Sequence, residues 1–223
     1  MRENATLAVT PAGEGTDATG DVADRIARAS LAGRGESYRS EVRRLLDAAL
    51  VEMRRCGTAS RPRVADIVAA AGLSNDAFYR HFRSKDALVA AILEDGAERL
   101  RSYLAHQMEK ESTADGRVRR WVEGVLSQAA DDDIASTTLA VLWNGGSLGE
   151  GSTAAPPSAT GPLATLLVEP FDELGSTDPE LDASLVAHAI VGRLSEFLWA
   201  RVRPTPADVE HLTAFCLRAV TPQ

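Results

Sequence analysis

The stretch that decides the fold of this chain is residues 59–93, ASRPRVADIVAAAGLSNDAFYRHFRSKDALVAAIL. Apolar residues recur at helical spacing over 63–70, and Gly72 ends that pattern. Ser74 then offers a side-chain oxygen that can cap a second short helix over 75–81. Two short helices joined by a tight turn that contains glycine are the layout of a helix-turn-helix.

The second of these helices is predicted to have two unlike faces. Phe78 and Phe82 are four residues apart and share one face, which we expect to pack with Ile67 and Leu73 in a small core. The opposite face suits the major groove of DNA, where arginine reads guanine, asparagine reads adenine and a carboxylate accepts from cytosine. The candidate base-reading residues are Arg80, Asn75 and Asp76. The alternative is a solvated surface or, for the carboxylate, a role at the helix N-terminus.

Lys85 is predicted in the first turn of a further helix, which begins at Ser84. The helix dipole disfavours a cation at that position. A DNA phosphate beside the turn would be bound by both the ammonium and the free backbone amides. Phosphate contact is therefore predicted for Lys85, with a solvated lysine as the alternative. Arg61 and Arg63, at the start of the preceding helix, are further phosphate candidates.

The order of these residues resembles that of the TetR family of bacterial transcriptional regulators. The resemblance rests on 67–68, 71–74, 78–82 and 84–88, and it is close over about 38–93. It implies an all-α chain of about nine helices, with an N-terminal helix-turn-helix DNA-binding domain and a C-terminal helical bundle.

The resemblance also assigns DNA contacts to individual residues. Tyr79 and His81 match positions that contact backbone phosphates in this family, and Ser74 is placed among the DNA contacts. The chain departs from the family at the start of the first of the two short helices, where Pro62 and Arg63 stand in place of Thr or Ser. Ala77 also stands where Thr is frequent, so one phosphate hydrogen bond is expected to be lost.

Charge is distributed unevenly along the chain. The 223 residues carry a formal net charge of −8. Residues 34–85 hold 11 basic and 6 acidic residues, a net of +5, so the remainder carries −13. A basic end on an acidic body concentrates attraction for phosphates at that end. Chance clustering is the alternative.

Composition sets the class of protein. A hydrophobic content of 44% and a charged content of 25% are ordinary for a globular protein. No apolar run is long enough to span a membrane and no secretory signal precedes the first helix, so we expect a cytoplasmic protein. Cys56 and Cys216 are expected to be reduced, buried thiols.

Three regions are predicted: a flexible arm over 1–35, a helix-turn-helix DNA-binding domain over 36–84, and a helical domain for ligand binding and dimerisation over 85–223. The arm is poor in apolar residues, although 21–31 has a weak helical pattern. Its arginines either reach a minor groove or belong to a solvated tail or a misassigned start. These arginines are Arg25, Arg28 and Arg34.

The first helix is predicted over 38–55 and the fourth over 84–110. Apolar spacing and Pro-containing start signals predict five more helices. They cover about 116–130, 132–143, 162–174, 179–201 and 206–220. The Gly/Ser/Pro-rich loop 144–161 either gates a pocket or is an idle connection.

The resemblance implies that the C-terminal helices form a homodimer and enclose an effector pocket. Residues 185–201 are apolar on most faces and so need cover on two sides. With 211–217 they are predicted to form a four-helix interface between two copies; a buried central helix in a monomer is the alternative. Pocket candidates combine apolar walls with a few polar groups. They are Leu126, Thr138, Leu142, Trp143, Leu167, Phe171, His188 and Phe197. Each can instead be a core residue, and His188 is expected to be one.

The leading hypothesis is a dimeric repressor that a small apolar effector releases from a palindromic operator. A dimeric DNA-binding regulator without an effector is the second hypothesis. A helical enzyme is the third and has little support, because the four histidines lack metal-ligand spacing and no P-loop, GxSxG or HExxH motif occurs. No cofactor, metal or membrane partner is expected.

Overall fold

A computed structural model describes residues 18–146 and 160–220, with side chains from residue 35 onward. Over these ranges the chain is all-α, with nine α-helices and no strand. The helices are α1 (Ala18–Cys56), α2 (Val64–Ala71), α3 (Asn75–His81), α4 (Lys85–Met108), α5 (Ala114–Leu126), α6 (Asp132–Gly145), α7 (Thr160–Glu173), α8 (Pro179–Ala200) and α9 (Pro206–Val220). A 3-10 turn, Ser127–Ala129, follows α5. The predicted fold class is confirmed.

The start of α1 differs from the prediction. The helix was expected over 38–55, after a flexible arm, but its backbone is helical from Ala18. The backbone of 18–35, which the sequence placed in the arm, is therefore helical. Ala and Arg residues favour the helix, and extending a helix that already exists avoids the cost of nucleation. Residues 1–17 lie outside the described part of the chain, as do the side chains of the three arginines of the arm.

The chain divides into two compact units, residues 1–41 and 42–223. The first is helical over its described backbone. The second contains two apolar clusters. The smaller, which we call the helix-turn-helix core, is built from α1, α2, α3 and the start of α4, with Ala140 from α6. Its fully buried side chains include Leu45, Met53, Ile67, Phe78 and Leu88.

The larger cluster, which we call the bundle core, is formed by α4, α5, α7, α8 and α9, with Leu139 from α6. Trp121 lies at its centre, fully buried, and its indole Nε1 donates to the carbonyl oxygen of Leu163 at 3.0 Å. Because a buried indole N–H must be paired, this bond orients α5 against α7. The predicted helices of this half are all found, with ends shifted by a few residues.

The start signals act through side-chain caps. Thr113, Asp131 and Asp178 accept hydrogen bonds from the first-turn amides of α5, α6 and α8. Pro179 and Pro206 each open a helix, as predicted. The third proline signal is displaced, because α7 begins at Thr160, before Pro162. Most of the predicted loop 144–161 lies outside the described residues.

The two cysteines are free. Cys216 is buried in the bundle core, while Cys56 is only partly buried. None of the helices in the described ranges combines the length and the apolar character needed to cross a lipid bilayer.

Candidate nucleic-acid interface

The two faces predicted for α3 are both present. Phe78 is fully buried and Phe82 nearly so, with ring centroids 5.9 Å apart. Ile67 is fully buried beneath them, while Leu73 is partly buried at the edge of the same core. On the opposite side the Tyr79 side chain is 59% exposed, and its ring meets Phe78 edge-on at 5.2 Å. The buried Phe78–Phe82 pair therefore anchors α3, and the opposite face of the helix points outward.

That outward face carries the predicted base-reading residues. The side chains of Asn75, Asp76 and Arg80 are all exposed, and His81 is partly buried beside them. Donors and acceptors that reach solvent from a short helix are what a groove-reading surface requires. The structure thus brings the predicted residues of α3 together on one accessible surface.

Ser74 and Ser84 begin α3 and α4 in the same way. Each side-chain oxygen accepts from the backbone amide three residues later, Ala77 and Ala87 respectively, at 3.1 Å. The capping prediction for Ser74 is confirmed. Since the hydroxyl oxygen accepts the cap bond, its hydrogen remains available to donate to an acceptor outside the protein.

Lys85 occupies the first position of α4, as the sequence predicted. Its side chain is partly buried, and no carboxylate in the described ranges lies within ion-pair distance of its ammonium. Asp86, exposed in the same turn, satisfies the helix dipole in the ordinary way. A lysine at a helix N-terminus that pairs with no described carboxylate is placed to bind an external anion.

Arg44 stabilises the site, although the sequence did not predict this role. From α1 its guanidinium donates to the carbonyl oxygen of Ala71 at 3.0 and 2.6 Å and to that of Gly72 at 3.0 Å. Those carbonyls lie at the end of α2, where helical partners run out. Arg44 therefore braces the turn between α2 and α3. No local pattern marks it, because the contact joins residues 27 positions apart.

Gly72 makes that turn possible. Its φ is 62°, in the left-handed region, and a Cβ there would lie 3.0 Å from the Arg44 guanidinium. The amide of Leu73 donates to the Val68 carbonyl at 2.9 Å, which closes the end of α2. Both the backbone conformation and the close approach of Arg44 favour glycine.

The two arginines before α2 have different surroundings. The Arg61 guanidinium lies 5.4 Å from the ring centroid of Trp143 on α6, a cation–π contact. Arg63 is the N-cap residue of α2 and makes no side-chain cap bond, in agreement with the absence of Ser or Thr there. Both side chains are exposed.

The pocket candidates are not gathered around one space. Leu126, Leu167 and Phe171 are fully buried in the bundle core. A cavity of about 370 Å³ lies between the end of α1, the first half of α6 and the end of α8, and Phe197 is the only candidate that lines it. The partly buried candidates on α6 are Thr138, Leu142 and Trp143.

The prediction for His188 was wrong. It was expected in the core, but its side chain is exposed on α8, with Nδ1 2.7 Å from the carbonyl oxygen of Ser184. It follows Leu185 by three positions and so shares that residue's outward face. On a helix that is apolar nearly all round, sequence alone did not show which apolar stripe faces inward.

A short helix held by a buried aromatic pair, presenting polar side chains beyond a tight glycine turn, has the layout of a helix-turn-helix, the motif whose second helix enters the major groove of DNA. Residues 45–92 match the family model described as bacterial regulatory proteins, tetR family. Within the chain, this segment, which runs from α1 into α4, is similar to that family.

Solved structures share the fold over most of the chain. Reduced NemR from E. coli has a TM-score of 0.60 at 17% identity, covering 81% of this chain and 97% of its own. FadR from Bacillus subtilis in complex with stearoyl-CoA has a TM-score of 0.53 at 18% identity, covering 79% and 96%. RolR in complex with resorcinol has 0.58 at 18%, covering 85% and 91%. At these identities the likeness concerns the fold. No functionally curated protein matches the sequence.

Proposed function

We propose that the protein is a homodimeric, sequence-specific repressor that leaves a palindromic operator when a small effector binds. DNA binding is supported above all by the outward polar face of α3, which buried Phe78 anchors. Base reading is assigned to Asn75, Asp76 and Arg80. Phosphate contacts are assigned to Tyr79, His81 and Lys85, with Ser74, Arg61 and Arg63 at the rim. A regulator of chromosomal DNA acts in the cytoplasm.

The dimer proposal is supported by an exposed apolar stripe on α8. Leu181, Leu185 and Trp199 are 53%, 60% and 54% exposed and recur at helical spacing. Phe215 on α9 is 43% exposed as well. Large apolar side chains that share one exposed face mark an interaction surface. The occupant proposed is the same surface of a second copy, because an isologous contact covers both stripes at once.

Dimerisation gives the recognition helices a fixed separation. For two α3 helices to enter successive major grooves on one side of a duplex, they must lie about 34–36 Å apart. An effector that binds better to a protomer arrangement with another separation lowers operator affinity. The FadR and RolR structures contain small ligands, which supports an effector for this chain.

A regulator without an effector is the second candidate. It is supported by the close packing of Leu126, Leu167 and Phe171, which leaves these predicted pocket residues no exposed surface. In that case the bundle serves only dimerisation. Thermal-shift screening against apolar metabolites separates the two candidates, because only an effector-binding protein is stabilised by a ligand of the native state.

The proposed function is tested by selecting DNA fragments from a random pool with the pure protein. The expected result is a palindromic motif with half-sites one duplex turn apart. Selection of fragments without symmetry contradicts the dimeric mode, and failure to enrich any sequence contradicts sequence-specific binding.

Paired variants test the docking. Lys85→Ala should weaken binding to every sequence and reduce the salt slope by about 1, since one phosphate contact is lost. Lys110→Ala is its matched control: among the described residues the ammonium of Lys110 donates to the Gln107 side chain, at 3.1 Å, and has no ion-pair partner. Arg80→Ala should relax selection at one or two base pairs, while Arg101→Ala, which removes a partly buried partner of Glu98 on α4, should not. Equal salt slopes for the two lysine variants would count against this docking.

A further inference from the structure

We propose that the cavity between α1, α6 and α8 binds a small amphiphilic monocarboxylate, with Arg201 as the carboxylate partner. Its volume of about 370 Å³ is at the small end of the range for ligand sites. This size fits an aromatic acid or a short acyl chain. The site is separate from the α3 surface and shares only Phe197 with the residues expected to line a pocket.

The inner wall of the cavity is apolar. Leu139 of α6 and Phe197 and Leu198 of α8 line it, and all three side chains belong to the bundle core. Ala140, beside Leu139, belongs to the helix-turn-helix core. Burying an apolar ligand surface against such side chains stabilises the complex by roughly 25 cal/mol per Å². The wall thus accepts a hydrocarbon body.

The mouth of the cavity is basic. Arg54, Arg201 and Arg203 line it together with one carboxylate, Asp132. Two of the arginines already have partners: Arg203 pairs with Asp132 at 2.7 Å, and Arg54 pairs with Asp133 at 3.0 Å. In the described ranges no carboxylate lies within ion-pair distance of Arg201. Asp131 also acts on Arg203, so the three aspartates at the start of α6 belong to Arg54 and Arg203, and Arg201 is the arginine of this mouth without an ion-pair partner in the described ranges.

The backbone conformation of Arg201 supports the site independently of its charge. Its φ is 53°, and it is the only described non-glycine residue with a positive φ. Arg201 follows α8, and its amide and that of Val202 donate to the carbonyls of Leu198 and Phe197 at 3.2 and 3.0 Å. Glycine is the residue that normally fills this position. Retaining an arginine in a strained conformation beside a cavity is typical of a functional constraint.

The chemistry of the mouth and the wall together specifies the ligand. A carboxylate pairs well with a guanidinium, whose fork of donors matches its two oxygens. An apolar body extends toward Leu139 and Phe197. One guanidinium without an ion-pair partner matches one carboxylate, so a single negative charge fits best.

The position of the cavity links ligand binding to DNA binding, and this step rests on the proposed function. Arg54 lies in the last turn of α1, which contributes Leu45 and Met53 to the helix-turn-helix core. A carboxylate at the mouth competes with Asp133 for Arg54 and so weakens the ion pair that ties α1 to α6. The expected decrease in operator affinity is about fivefold, at the low end of allosteric couplings.

The test is calorimetric titration of the pure protein, without DNA, with octanoate and phenylacetate and with their neutral amides. Wild type should bind at least one acid and bind the matching amide at least about tenfold more weakly. Arg201→Gly should lose acid binding while folding at least as stably, because glycine relieves the left-handed strain. Arg101→Gln, which changes an arginine on α4 that does not line the cavity, should bind as wild type does. Ser136→Trp, which adds bulk at the cavity wall, should lose binding of acid and amide alike.

The failure modes are distinguishable. If neither acid binds, or acid and amide bind equally, or Arg201→Gly binds the acids as wild type does, this inference is overturned. Operator binding by the ligand-free protein is measured separately by fluorescence anisotropy. A protein that binds acid through Arg201 but never binds DNA would retain this site and lose the proposed function. DNA binding without acid binding would do the reverse.

Discussion

The helix-turn-helix core and the bundle core differ in how closely apolar pattern and burial agree. Around α3, apolar side chains such as Phe78 and Phe82 are inside, and the polar ones are outside. Along α8, Phe197 is buried while Trp199, two positions later, is 54% exposed. The orientation of an amphipathic helix can therefore be predicted from its own sequence. A helix that is apolar on most faces leaves its orientation to its neighbours.

The largest expected effect removes the anchor of the smaller core. Phe78→Ala should cost about 3–5 kcal/mol of stability, because a fully buried ring leaves a cavity in a small cluster. DNA binding should be lost with it. Urea unfolding followed by circular dichroism measures the cost. The control is the neighbouring exposed ring: Tyr79→Ala should change stability by no more than about 0.5 kcal/mol and still weaken DNA binding. Equal destabilisation by both variants would contradict the two-faced helix.

The next effect concerns the exposed stripe of α8. Leu185→Glu should weaken dimerisation by about 2 kcal/mol or more, since it places a charge in the proposed interface. Sedimentation velocity should show a shift toward monomer. Val51→Glu on α1 is the matched control, because both wild-type side chains are 60% exposed. A dimer that persists in Leu185→Glu would place the interface elsewhere.

The turn between α2 and α3 comes third. Gly72→Ala should cost about 1–2 kcal/mol for the left-handed conformation, and it presses a methyl group toward Arg44. Operator affinity should fall, because α3 loses its angle to α2. Gly96→Ala gives the opposite sign: nothing lies within 4 Å of its Cβ position on α4, so about 0.4–1 kcal/mol of stabilisation is expected. Thermal melting of both variants measures these changes. A Gly72→Ala variant as stable as wild type would contradict the requirement for glycine beside Arg44.

The smallest effect at neutral pH contrasts the two thiols. Burial raises the pKa of Cys216 from 9.0 to about 12. Its thiol should therefore react with iodoacetamide much more slowly than partly buried Cys56, since the thiolate is the nucleophile. Mass spectrometry of the labelled native protein checks the order. Labelling of Cys216 first would show that the bundle core opens more readily than its packing indicates.

The same pKa shift fixes the sign of a pH effect. The folded-state pKa lies above the unfolded value, so this thiol does not alter stability below about pH 8.5–9. Between there and pH 12 the unfolded chain releases a proton that the folded chain retains. Stability should therefore fall as pH rises across that window, and the Cys216→Ala variant should show less of that fall. An identical pH profile for the variant would contradict the shift.

The α2–α3 site was the part best predicted from sequence. The Ser74 cap, the Gly72 turn and the Phe78–Phe82 anchor all follow from spacing over a few residues. The role of Arg44 was not predicted, because its partner carbonyl lies 27 residues away. The role of Arg201 was not predicted, because nothing in the local sequence indicates an arginine with a left-handed backbone conformation. The extension of α1 to Ala18 was missed because low apolar content was taken as evidence against a helix that can propagate from its neighbour.

The chain's own residue order determined its helices, their caps and the two faces of the reading helix, since these depend on interactions within one or two turns. Only the tertiary structure decided which stripe of α8 stays exposed, which arginine braces the turn and where a cavity opens beside Arg201. Those outcomes depend on contacts between residues far apart in sequence, and apolar periodicity carries no information about which distant partner will cover a given face.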